Sequence, residues 1–103
     1  LELTRNAAPL LAEACVQRLE ADEECCRRHA EESMSLAAMA SAVRGYAAGA
    51  RLVRTAWGAG LTCREAAVRE GLFSPDAARE LFDVRTLTDR PRMERLIRKY
   101  RKI

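Results

Sequence analysis

A chain of 103 residues with a formal net charge of +3 holds one domain at most, and its core is modest. Aromatic residues make up 5% and charged residues 32%; this disfavours a sheet rich in Val, Ile, Tyr and Phe and favours amphipathic helices, so the expected fold is all-α. No apolar run reaches membrane-span length and no signal-peptide pattern opens the chain, which excludes a helical membrane anchor within these residues.

The first segment carries Leu3, Ala7, Leu10, Leu11, Ala14, Cys15, Arg18 and Leu19 at steps of three and four, an apolar stripe along about five helical turns. Pro9 removes a ladder hydrogen bond, so the regular part is expected to begin near it. The chain starts at Leu1 with no initiator Met and enters directly at helical spacing, so it reads as excised from something longer. A second helix starts at Asp22, a good cap followed by Glu23 and Glu24 in the favourable first turn. Its buried side is expected to hold Cys26, Ala30, Ser33, Met34 and Ala37, with Ala40 or Ser41 further on.

Gly45 interrupts this alanine-rich run, and Tyr46, Ala50, Val53 and Trp57 form the next predicted inward face. Gly58 and Gly60 supply the left-handed conformation that closes it. Thr62 followed by Glu65 is a capping box. Gly71 ends that two-turn helix; Ser74 caps the next one with Pro75 at its first position, sending Ala77, Ala78, Leu81 and Phe82 inward. Residues 83–91 read as a linker. The tail, residues 90–102, holds seven Arg or Lys against one Glu, and Met93, Leu96, Ile97 and Tyr100 line one side of a last, partly frayed basic helix. About five helices with short turns result.

Chemistry-bearing motifs are scarce. Cys15, Cys25, Cys26 and Cys63 form no CxxC pair, and the neighbours Cys25 and Cys26 point about 100° apart on a helix. Reduced thiols suit a cytoplasmic location. With His29 the lone histidine, no metal site is expected. His29 precedes Ser33 by four residues, a spacing read as an exposed pair rather than base and nucleophile. Glu31 and Glu32 beside Arg27 and Arg28 read as surface charge pairs. There is no phosphate-binding glycine motif and no cofactor is expected. This segment alone is not expected to catalyse a reaction.

Residues 61–82, LTCREAAVREGLFSPDAARELF, have the outline of a helix-turn-helix. A recognition helix needs side chains for base edges, and here Arg79 stands alone among Asp76, Glu80 and Asp83. That acidity opposes phosphate contacts. A stand-alone DNA-binding or regulatory module is the alternative reading.

The pattern from residue 21 to 88 resembles the C-terminal domain of the aspartase/fumarase superfamily, the class II fumarases and aspartate ammonia-lyases. ADEECC at 21–26 matches an Ala-Asn-acidic-Cys element, with Asp22 in place of Asn. Glu31, Ser33, Gly45 and Tyr46 match a Glu-x-Ser helix leading to Gly-Tyr. Gly60, Thr62, Arg64 and Glu65 match G-x-T-x-R-E; Glu70, Gly71, Leu72 and Ser74 fall on or beside E-x-G-L-L-S; Leu81, Phe82 and Asp83 lie where that domain ends. Asn6, Leu10, Leu11 and Cys15 follow the end of the long bundle helix with which such enzymes tetramerise. Ser41 and Ala42 replace the family's Asn-Pro, letting the helix run on toward Gly45, and Val84 replaces a Pro.

The resemblance implies three parts: residues 1–20 as the end of a central bundle segment, 21–88 as the C-terminal domain, and 89–103 as a basic tail. It implies a parent homotetrameric lyase that eliminates water or ammonia from a succinyl-type substrate to give fumarate. The proton is drawn by a serine on a glycine-rich loop outside this chain. The extended tail favours an ammonia-lyase over a fumarase. No catalytic residue is assigned here; Gly45, Tyr46, Thr62, Arg64, Glu65 and Gly71 are the candidate closure or structural residues, and a cap with a surface ion pair is the plainer role for Arg64 and Glu65.

Overall fold

In a computed structural model, residues 1–101 are described, and they form eight α-helices and no strand. Lys102 of the basic tail and Ile103 lie outside the described residues. The all-α expectation holds. No described helix is long and apolar enough to cross a membrane.

Helix α1 (Glu2–Ala14) runs straight through Pro9, contrary to the expectation that the regular part begins there. Proline removes a single donor, and every α1 residue except Ala12 is exposed, so water can satisfy the freed carbonyl. A 3-10 turn at Val16–Arg18 follows. Leu3 and Leu10 are 86% and 66% exposed, so α1 projects as an arm. The radius of gyration is 19.0 Å, against about 13 Å for a compact domain of this size.

Helix α2 (Glu23–Glu31) is capped by Asp22, whose Oδ1 accepts from the Cys25 N–H at 3.0 Å. It stops short of Gly45. Ser33 takes an extended conformation, its Oγ accepts from the Ser35 N–H at 3.2 Å, and a 3-10 turn at Met34–Leu36 leads into α3 (Ala37–Arg44). A serine bonding its own neighbouring backbone competes with the helical ladder. The break swings α2 off the core, so Cys26 is exposed where burial was expected, while Ala37 and Ala40 are buried. Beyond the break α3 runs uninterrupted past Ser41 and Ala42 to Gly45.

Gly45 alone joins α3 to α4 (Tyr46–Ala59), at φ 92° and ψ 163°, a region essentially restricted to glycine. The two helices cross closely at Gly49, where a Cβ would lie 3.1 Å from both the Ala37 carbonyl oxygen and the Ser41 Cβ. The inward face of α4 is therefore Ala48, Gly49, Leu52 and Ala56. This corrects the predicted face in part: Tyr46 and Trp57 are 84% and 78% exposed, whereas Val53 is half-buried and packs against the core. Small residues win the core side because they permit the close crossing.

Gly60 and Gly71 take left-handed conformations, φ 66° and 67°, whereas Gly58 stays within α4. Each closes its helix with paired backbone bonds: Leu61 N–H to Ala56 O, and Leu72 N–H to Ala67 O at 3.0 Å, the Schellman arrangement. Helices α5 (Cys63–Arg69) and α6 (Pro75–Leu81) start at Thr62 and Ser74 as expected. The stretch read as a linker instead forms α7 (Val84–Thr88), capped by Asp83 and pinned by Thr86, whose buried hydroxyl donates to Glu80 O at 3.1 Å. Helix α8 (Arg90–Arg101) packs on α3, α6 and α7 through Met93, Leu96, Ile97 and Tyr100. Leu36, Met39, Leu52, Leu81 and the edge-to-face pair Phe73 and Phe82 centre the core.

Candidate functional site

Thr62, Arg64 and Glu65 together line a cleft of about 400 Å³ between α2, α5, α6 and the start of α7. The capping box that places them is complete: Thr62 Oγ1 accepts from the Glu65 N–H at 3.2 Å, and Glu65 Oε2 accepts from the Thr62 N–H at 2.9 Å. Its polar walls add Glu31, Arg79 and Asp83; Leu36 and Phe82 form the apolar part.

Most of these charges already have partners. Arg79 donates to Asp76 at 3.3 Å. Asp83 accepts from the Arg85 N–H and from Arg92, each at 3.0 Å. Glu65 is occupied as a cap. Arg64 is exposed and, among the described residues, makes no ion pair, so its guanidinium offers the cleft an unused bidentate donor for a carboxylate.

The remaining candidates lie elsewhere. Gly45 is the joint between α3 and α4, and Tyr46 begins the exposed side of α4. Gly71 borders a separate groove with Arg44, Phe73 and Tyr100, where the Arg44 guanidinium lies 5.5 Å from the Phe73 ring centre. The six candidates thus divide between one cleft and two helix joints.

His29 does not serve Ser33. Its Nε2 lies 3.8 Å from Cys25 Sγ, with an Arg28 guanidinium nitrogen also 3.8 Å from that sulfur. Ser33 is committed to its turn. No group of three or more metal-ligating side chains occurs among the described residues. Cys63 is buried beneath Ser33 and Met34; burial pushes its thiol pKa up, opposed by a backbone hydrogen bond with Ala37. Among the described residues that line the cleft, none is a nucleophile paired with a base.

Two polar clusters had no signal in the sequence, because their members are far apart in the chain. Glu70, at the end of α5, accepts from the Thr55 hydroxyl on α4, and Arg51 Nε lies 3.6 Å from its other oxygen. Glu80 on α6 accepts from the Tyr100 hydroxyl at 2.7 Å and from Lys99 at 3.1 Å. These bonds hold the Glu80 carboxyl below the usual range and raise both Tyr100 and Lys99.

Compared with known proteins, the chain is 30% identical over 89 residues to the class II fumarate hydratase of Halobacterium salinarum. The match covers 86% of the chain and 19% of that protein's length, so the chain spans about a fifth of the relative it matches. No protein-family model matches the chain. No solved structure matches it.

Proposed function

We propose that the chain is the C-terminal domain of a fumarate-forming lyase of the aspartase/fumarase superfamily, supporting closure of an active site built by other segments and doing no chemistry of its own. The similarity to class II fumarate hydratase over 86% of the chain carries this reading. The motif residues Gly45, Gly60, Thr62, Glu65 and Gly71 also coincide with helix joints and caps, which fits a small domain moving as jointed rigid helices. Hydration of fumarate is the first activity proposed, after the relative. Aspartate ammonia-lyase comes second: the tail that favoured it is the packed helix α8.

In this reading the rest of the parent chain and its homotetramer subunits are the partners, the setting is the cytoplasm and no cofactor is used. Arg64 is placed to meet a carboxylate of a neighbouring segment as the site shuts and water is expelled. The DNA-binding alternative is not favoured. Arg79 of α6 is drawn to Asp76, and Arg90, Arg92 and Lys99 of α8 are drawn to Glu94, Asp83 and Glu80.

The test is an assay of a parent chain that contains this domain. Fumarate formation, read from the absorbance of its C=C bond, is expected on adding L-malate, or failing that L-aspartate. The 103-residue chain alone is expected to give none. A parent chain inactive toward both substrates overturns the assignment.

A further inference from the structure

Arg64, Glu65 and Arg79 are shared between the cleft described above and a second groove of about 370 Å³ between α5 and α6, whose other walls are Val68, Arg69 and Pro75. Helical spacing builds it: Arg64 with Val68, Glu65 with Arg69, and Pro75 with Arg79 are each four residues apart, so each pair shares a helix face. The two sides of the shared wall differ in charge. The first cleft adds the carboxylates of Glu31 and Asp83, whereas the second adds only the guanidinium of Arg69. A free anion is therefore drawn more strongly to the second groove.

Its arginines are available. Arg64 and Arg69 make no ion pair among the described residues, and Arg79 has only the exposed Asp76, at 3.3 Å. An exposed ion pair contributes little, so all three guanidiniums can turn to a ligand. Glu65 is the one carboxylate in the lining, and its Oε2 is held by the Thr62 N–H at 2.9 Å. A ligand carboxylate is satisfied by a single forked guanidinium, whereas a phosphate monoester brings close to two charges and three strong acceptor oxygens, enough for three. Val68, 37% exposed, and Pro75 add an apolar wall beside the charges.

We infer that this groove is a binding site for a small phosphate monoester, its phosphoryl oxygens held by Arg64, Arg69 and Arg79 and its organic body laid against Val68 and Pro75. The groove's volume lies at the low end for small-molecule sites, about 300–1,000 Å³, which fits a single ring or short chain bearing the phosphate and not a stretch of polypeptide. Arg69 does not line the first cleft, so the inference does not depend on the proposed lyase function.

Isothermal titration of the 103-residue chain with phenyl phosphate is expected to give saturable one-to-one binding. Inorganic phosphate, which lacks the ring, is expected to bind about tenfold more weakly. Phenylacetate, with a carboxylate in place of the phosphate, is expected to lose about tenfold as well. Lowering the pH from about 7.5 to about 5.5 takes the phosphate through its second pKa, about 6, and is expected to weaken phenyl phosphate but not phenylacetate. Arg69→Ala is expected to weaken phenyl phosphate about tenfold and leave the helical circular dichroism unchanged. Arg95→Ala, which removes an exposed arginine of α8, is expected to change neither. The inference is overturned if phenyl phosphate shows no saturable binding at millimolar concentration, or if inorganic phosphate or phenylacetate binds as tightly. It is also overturned if Arg95→Ala weakens binding as much as Arg69→Ala does. A phosphotyrosine peptide that binds far more tightly than phenyl phosphate overturns the small-ligand assignment in favour of a protein segment.

Discussion

Tyr100 and Glu80, twenty residues apart, are joined by a 2.7 Å hydrogen bond in which the phenol donates to the carboxylate and ties α8 to α6. Lys99 supports the same oxygen at 3.1 Å. The tie titrates at both ends. Glu80 has a lowered folded-state pKa, so its contribution is present above the usual carboxylate value, about 4.3, and is lost as pH falls through the depressed one. Tyr100 and Lys99 are raised, so theirs is present below about 10 and is lost as pH rises through the raised values. The Tyr100→Phe chain is expected to be less stable by about 0.5–1 kcal/mol, the low end for a solvent-screened bond to a charged group. Urea midpoints of both chains across pH check this: the difference forms a plateau from about pH 5 to about pH 10 and narrows on either side.

Gly45 and Gly49 predict two different kinds of damage. A Cβ at Gly45 meets nothing within 4 Å, but φ is 92°, so Gly45→Ala costs about 1–3 kcal/mol through backbone strain alone. At Gly49 the backbone is helical and the obstacle is steric: a Cβ presses on Ser41 and the Ala37 carbonyl. Gly49→Ala is expected to cost about 1–3 kcal/mol by overpacking. Removing the hydroxyl with Ser41→Ala relieves part of this, and has no effect on Gly45→Ala. Thermal melts of the three single and two double variants distinguish the two mechanisms. Equal rescue of both by Ser41→Ala would sink the argument.

The sequence was most legible where cause and effect lie within one helical turn. Asp22, Thr62 and Ser74 cap helices three residues before the N–H groups they bind, and Gly60 and Gly71 terminate helices by their own conformation. The inward face of α4 is only partly legible, through Val53, because the helix is apolar on two sides. Periodicity favours Tyr46 and Trp57, while the close approach of α3 at Gly49 selects the alanines, and that approach depends on residues of another helix. The break at Ser33 was signalled only by a serine two residues before another. Of the cleft, Thr62, Arg64 and Glu65 were legible as a motif, but Glu31 and Asp83 join them only through the packing of α2 and α7.

Within that motif, stability and function are expected to separate. Thr62→Ala removes a cap and is expected to cost about 1 kcal/mol. Glu65→Ala removes the reciprocal bond, and because each side chain orders the other, the double variant should lose less than the sum of the singles. Arg64→Ala touches no partner and is expected to stay within about 0.5 kcal/mol of the parent stability. In a full lyase, the same Arg64→Ala change is expected to lower kcat if the guanidinium meets a carboxylate on closure. Unchanged steady-state kinetics with unchanged stability would remove Arg64 from the functional set.

The four thiols give a final test of the core. Cys15 and Cys26 are exposed and Cys25 half-exposed, whereas Cys63 is buried and its thiol pKa is raised by desolvation. Only a thiolate is nucleophilic, so both access and ionisation protect Cys63. Treatment of the native chain with iodoacetamide at neutral pH is expected to label three cysteines promptly, with the fourth following only as the core opens. Since Cys63 lies under the Ser33 and Met34 backbone, its labelling reports detachment of the 3-10 turn from α5. The labelling rate should rise with urea well before the cooperative unfolding midpoint if that turn opens locally, and in step with it if the turn belongs to the global unit. Immediate fourfold labelling in native buffer, read by intact mass, would contradict the buried placement of Cys63.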